Sequence, residues 1–292
     1  MTIAISLKIN DGLVLAADSA STVVHASSGQ QAVNVINVYN NANKIFNLYK
    51  GLPIGAITWG GGSIGKASIE TIVKDLRDRF SGKRNGHPSW KLDEENYTVE
   101  NVAKLFREFV YDELYLAAKN SPDAPPEQPE VGFIVAGYSS HVGMAEEYVI
   151  NIRADGTCQP PQLLRPIPDV GVTWAGQPDA LNRLMMGYSG ELPNVLMNNL
   201  GVPANQIEAV IKVIQQSLQA PVIVAPMPLQ DAIELAEFMV ETTIKYTRFI
   251  PGPSTVGGPI EIAAISKHEG FRWIRRKHYY SHNLNRTETH NA

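Results

Sequence analysis

The stretch Thr2-Ile3-Ala4-Ile5-Ser6-Leu7-Lys8-Ile9-Asn10-Asp11-Gly12-Leu13-Val14-Leu15-Ala16-Ala17-Asp18-Ser19 decides how the chain is read. In its first half Ile3, Ile5, Leu7 and Ile9 alternate with Thr2, Ala4, Ser6 and Lys8, the period of a half-buried strand. Asn10-Asp11-Gly12 supplies a turn, and Leu13 to Ala17 is apolar throughout, as a more fully buried return strand would be. Together they predict an antiparallel hairpin. Closed by that turn, its register sets Thr2 across from Ser19 to Ser21 and brings Asp18 close to Thr2.

Working outward, residues 23–43 are polar and rich in Asn, as a long loop or an extended ribbon would be. Lys44 to Leu48 and Ile54 to Trp59 then predict another strand pair, ended by Gly60-Gly61-Gly62. Helical spacing follows in Ile69, Ile72, Val73, Leu76 and Phe80, and Thr98 is placed to cap a second helix carrying Val99, Val102, Phe106, Phe109 and Val110. After a Pro-rich loop at 121–129, Val131 to Tyr138 and Tyr148 to Ile152 predict strands that begin a second sheet. Helices are expected at 178–188, 203–218 and 229–248, and closing strands near Ile260 to Ile265 and Phe271 to Ile274. Strands, helices, strands, helices, strands is the order of an α+β fold with two sheets packed face to face and helices outside, a four-layer αββα sandwich.

Bulk composition narrows the function. A chain of 292 residues is long enough for one large layered core, with residues 1–274 as the domain and 275–292 as a basic polar tail. Arg275, Arg276, Lys277 and His278 beside Tyr279 and Tyr280 are expected to form a solvated patch. Apolar residues make up 44% and charged residues only 18%, which predicts much surface buried inside the fold or between subunits, and with it an assembly. A net charge of -4 gives neither nucleic acid nor an anionic membrane a reason to bind. Cys158 is the only cysteine, so no intrachain disulfide forms, and a reducing compartment is expected. Without an apolar run of roughly 18 residues or a signal-peptide start, the expectation is a cytoplasmic protein. The seven histidines form no H-E-x-x-H pair, and neither a metal nor a cofactor is expected.

Chemistry is concentrated at Thr2. A hydroxyl is a weak nucleophile at neutral pH, but a threonine that starts a chain carries its own base, the α-amine, whose ordinary pKa is about 7.7 to 8.0. Met1 precedes a small residue and is of the kind that aminopeptidases trim. Asp18, across the hairpin, would balance a cation beside the nucleophile. Lys44 is the candidate for that cation, although the hairpin alone does not place it. The glycines at 60–62 offer unhindered backbone N–H groups to a developing oxyanion.

These residues carry a resemblance. Thr2-Ile3-Ala4-Ile5, followed by Asp11 to Ser19, resembles the start of proteasome β-subunits and their bacterial proteasome-like (Anbu-type) relatives, the N-terminal nucleophile hydrolases. Lys44-Ile45-Phe46 resembles the family's catalytic-lysine strand, and Trp59-Gly60-Gly61-Gly62-Ser63 its glycine-rich turn. Ile134 to Tyr138, Asp155-Gly156, Trp174-Ala175-Gly176, Asp231-Ala232 and Val256 to Ile262 follow in the family's order.

The resemblance implies Thr2 as nucleophile, Asp18 and Lys44 as its supporting pair, and the N–H of Gly61 as oxyanion donor. Ser21, Thr22, Trp59 and Ser63 match positions that line the specificity pocket or hold the peptide as an added strand, and a bulky Trp59 there argues against large P1 side chains. It further implies a peptide or unfolded-protein substrate and a homo-oligomer, as a ring or an open helical assembly, with room for an ATPase partner.

The chain departs from the pattern in several places. Ala20 stands where an arginine is usual, Gln177 where a serine is usual, and a proline within 250–255 where an aspartate is usual. A catalytically impaired structural subunit of the same assembly is the alternative. A remoter one is nucleotide binding, because Gly60 to Ala67 matches G-x-x-x-x-G-K-[ST] except at Ala67.

Overall fold

The computed structural model describes residues 2–25, 34–83, 90–122 and 130–277. The opening hairpin forms as β1 (Ile3–Ile9) and β2 (Gly12–Ala17), with Ala4 facing Ala17 and Ile9 facing Gly12. Carried two residues further, that register brings Ser19 abreast of Thr2. Both faces of β1 are buried, although the alternation predicted a solvated one. Its polar face packs on the second sheet, where Ser6 Oγ donates to Glu147 Oε1 at 2.6 Å and Lys8 Nζ to the Ile167 carbonyl at 2.6 Å. Arg165 completes this buried network by donating to Glu147 Oε2 (2.6 Å) and Thr173 Oγ1 (2.8 Å). With partners for its polar groups, the strand stays buried on both sides.

The chain continues through β3 (Ser21–His25), β4 (Asn34–Tyr39), β5 (Ile45–Asn47), β6 (Ile54–Gly60), β7 (Ser63–Ile64) and β8 (Ala67–Ser68) into α1 (Ile69–Phe80). Next come α2 (Val99–Arg107), a π-helical stretch (Glu108–Tyr115) and α3 (Leu116–Lys119). Then follow β9 (Val131–Gly137), β10 (Glu146–Ile152), β11 (Gln162–Leu163), β12 (Gly171–Gly176), α4 (Asp179–Leu181), α5 (Leu192–Asn198), α6 (Ala204–Leu218), α7 (Leu229–Phe249), β13 (Glu261–Ser266) and β14 (Gly270–Arg275).

Two antiparallel five-stranded sheets result, ordered β12-β1-β2-β13-β14 and β11-β10-β9-β6-β5. The division differs from the predicted one: β5 and β6 share a sheet with β9 and β10 through the β6–β9 pairing, while the opening hairpin takes β12 and β13 from the second half of the chain as its neighbours. Ala4, Leu15, Ile57, Ile134, Ala136 and Ile265 share one apolar cluster between the sheets. On the outer side of β1 and β2, Ile5, Leu7 and Val14 pack with Ala236, Met239 and Val240 of α7. On the outer side of the other sheet, Phe133 and Ile150 pack with Leu76 of α1 and Phe106 of α2. Thr98 caps α2 by accepting the Asn101 N–H, as its position predicted. The Asn-rich segment supplies the β3–β4 ribbon, its middle lying outside the described residues. Among the described residues no helix is long and apolar enough to cross a membrane.

Candidate active site

Thr2 lies just before β1, 4% exposed, where strand parity sets it on the same face as Ala4 and Ser6, toward the second sheet. Its carbonyl accepts the Gln177 N–H at 2.7 Å. That contact depends on Gly176, which has φ +98°; a Cβ there would lie 1.9 Å from the Thr2 carbonyl oxygen. A glycine is required where the end of β12 closes on Thr2.

Asp18 is fully buried. Its Oδ1 accepts the Ile3 N–H (3.0 Å) and Lys44 Nζ (2.6 Å), and its Oδ2 accepts the N–H groups of Ala20 and Gly257 (3.0 Å each). Four donors therefore hold a carboxylate one residue from Thr2, and the hairpin and the start of β5 converge on it. Lys44 is 5% exposed, and burial pushes its ammonium below the usual lysine range against the opposing pull of Asp18. The Lys44 carbonyl accepts the Thr58 N–H at 3.0 Å, which fixes the lysine against β6.

The glycine run behaves differently from expectation at Gly61. Its N–H donates to the Glu130 carbonyl at 2.8 Å, on the β9 side, and is already spent. Successive N–H groups along a strand point to opposite edges, so the Gly60 N–H turns with that of Thr58 toward the Lys44 side, beyond the start of β5. Gly60 has φ +86°, and a Cβ would meet the Glu130 carbonyl oxygen at 2.2 Å.

Ser21 opens the β3 ribbon and faces the glycine run: a Cβ on Gly62 would lie 3.4 Å from its Oγ. Thr22 follows it, paired with Val38. Ser63 is exposed and pairs with Ser68 across a short hairpin. Trp59 packs beside the inter-sheet cluster with its ring against Gly132, where a Cβ would sit 2.1 Å away. The stretch that resembles a phosphate loop is that same hairpin of β7 and β8, with Lys66 at its turn, and Ser68 Oγ accepts the Thr71 N–H at the start of α1.

Lys277 is a further residue that local pattern did not single out for this site. Expected in a solvated patch, it instead has a side chain only 6% exposed, with Nζ 2.7 Å from Ser19 Oγ and donating also to the Ala42 carbonyl. Glu261 of β13 faces it at 3.3 Å, an ion pair too poorly aligned to be a hydrogen bond. Burial lowers the Lys277 pKa, with Glu261 opposing. The only signal in the sequence was that Lys277 follows closely on the strand predicted to end near Ile274. Residues 278–292 lie outside those described.

No family model and no curated protein matches the chain. Among solved structures, it is similar to an Anbu (Gly-1) mutant from Hyphomicrobium sp. strain MC1, at 15% identity and a TM-score of 0.47, over 95% of this chain and 86% of that one.

Proposed function

We propose that the chain is an N-terminal threonine hydrolase, a peptidase or amidase with a four-layer αββα core spanning residues 1–274, acting in the cytoplasm as part of a self-compartmentalising homo-oligomer. The observation that carries this is the buried Asp18–Lys44 pair, held on the Ile3 N–H one residue from Thr2. A closed ion pair at a strand end gives a newly exposed α-amine a fixed positive neighbour, and like charge lowers an amine's pKa, keeping it neutral and able to accept a proton.

The steps follow once Met1 has been removed. The Thr2 hydroxyl attacks the substrate carbonyl carbon and passes its proton to the Thr2 α-amine. The tetrahedral oxyanion takes the Gly60 N–H, in place of the occupied Gly61 N–H. Collapse expels the substrate amine with the proton from the Thr2 ammonium, leaving an ester. Water, giving a proton to the α-amine, then cleaves the ester and regenerates Thr2. A peptide or unfolded protein would lie as an added strand between Ser21–Thr22 and the stretch Gly60–Ser63, with Trp59 restricting the adjacent side chain. An ATPase partner fits a substrate that must arrive extended.

The test combines intact mass with β-lactone labelling of wild type and Thr2→Ala. Wild type should lack Met1 and gain one adduct that Thr2→Ala does not, whereas equal labelling of both sinks the mechanism. A catalytically impaired structural subunit is the second reading, favoured by Ala20 and Gln177 at positions where the resembled family carries arginine and serine; retention of Met1 selects it.

A further inference from the structure

Two buried lysines lie within one small region, and the proposed mechanism uses only Lys44. Burying a cation is costly, and burying a second beside it costs more, unless the arrangement does something a neutral side chain could not. Lys277 reaches back from the end of β14 to two segments already joined by the Asp18–Lys44 pair and by the Ala42 N–H on the Ser19 carbonyl: it binds Ser19, which follows Asp18, and Ala42, which precedes Lys44 by two residues. Ser19 Oγ accepts from Lys277 and donates to the Pro259 carbonyl, so its proton is committed away from the lysine. Glu261, 1% exposed, is the nearest counter-charge.

We propose that Lys277, with Glu261, is a positioning residue of the Thr2 site: it clamps the Ser19 and Ala42 segments beside the Asp18–Lys44 pair and brings its own charge to bear on Lys44. Its bearing on catalysis rests on the hydrolase reading, whereas the coupling between the two lysines does not. Lys44 faces Asp18, Lys277 and Glu261, and Lys277 faces Glu261 of β13, Asp18 at the end of β2 and Glu70 of α1. Glu261 also lines a cavity of about 250 Å³ with Glu70, Lys74 and Arg77 of α1 and with Lys50 and Arg276.

The signs separate a charge role from a merely structural one. Removing Lys277 takes a like charge from Lys44 and strips Glu261 of its partner, so both changes hold the Lys44 proton more tightly. Removing the charge of Glu261 does the reverse. The experiment follows the ¹³Cε resonances of lysine-labelled full-length protein against pH in wild type, Lys277→Met and Glu261→Gln, with the Lys44 resonance assigned from Lys44→Met.

The expected result is an upward shift of the Lys44 midpoint in Lys277→Met and a downward one in Glu261→Gln, with the alkaline limb of the β-lactone labelling rate moving the same way in each. Midpoints that stay put, or that move together, overturn the proposal. Local unfolding would drive both toward the ordinary lysine value and so counts against it. If Lys277→Met does not fold, the near-isosteric Glu261→Gln decides by its direction alone. If wild type is never labelled, the hydrolase reading fails while the lysine titrations still decide this one.

Discussion

Asp18 is the residue on which the site's charge balance turns. Its carboxylate neutralises Lys44 and holds three backbone N–H groups, those of Ile3, Ala20 and Gly257. Asp18→Asn keeps the shape and leaves a buried ammonium without its counter-ion, which is expected to cost about 3 kcal/mol in urea melts. Labelling of Thr2 should fall on the order of a hundredfold in the same variant, the scale of losing proton-transfer support.

At Tyr97 the relevant quantity is the pH dependence of stability. Burial, and then the charge of Glu146, pushes its hydroxyl up to about 12, and it donates to the Tyr138 carbonyl at 2.7 Å. In the unfolded chain the same hydroxyl ionises near 10. Because the folded value is the higher one, the contribution is fully present below pH 10 and is lost as pH rises through 12. Tyr97→Phe should therefore be about 1 kcal/mol less stable than wild type at pH 9, for want of the hydrogen bond. By pH 11.5 wild type should lose up to about 2 kcal/mol relative to the variant, enough to close the gap and reverse it; a constant gap in melts at the two pH values would refute the assignment.

Among the elements, β12 matters most to the site, because its last residue grips the start of β1. Gly176→Ala must leave a left-handed backbone angle and clear the Thr2 carbonyl, so a loss of about 2 kcal/mol or more is expected, with labelling abolished. A labelled, fully stable Gly176→Ala protein would show that the grip is dispensable. The opening hairpin was legible because its turn residues and period-two pattern are local, and the proximity of Asp18 to Thr2 followed from register alone. Lys44 was not legible in that way; only resemblance suggested it, since its approach depends on how β5 meets the hairpin across the intersheet space.

Which strands share a sheet was hidden for the same reason. The pairing of β2 with β13 joins residues far apart in sequence, and alternation within a strand says nothing of its neighbour. The solvated face expected of β1 failed because a polar side chain looks the same in sequence whether water or Glu147 is its partner. α5 went unseen because it is seven residues long, too short for helical period to register.

For the whole molecule, the described residues include many exposed large apolar side chains, among them Leu200, Val213, Leu218, Val224 and Phe249. Together with the low content of charged residues, they support an assembled state. Sedimentation at micromolar concentration should give a mass several times the 32.0 kDa of one chain, and a monomer would count against the homo-oligomer. The buried bonds that tie Ser6, Lys8 and Thr173 of one sheet to Glu147, Arg165 and Ile167 beyond it also limit how this molecule can move. Parting the sheets would break these bonds and take from Lys8 the carbonyl that holds its ammonium, while leaving the Glu147–Arg165 pair intact. This seam is tied rather than hinged, so the proposed reaction calls for a substrate that is already unravelled.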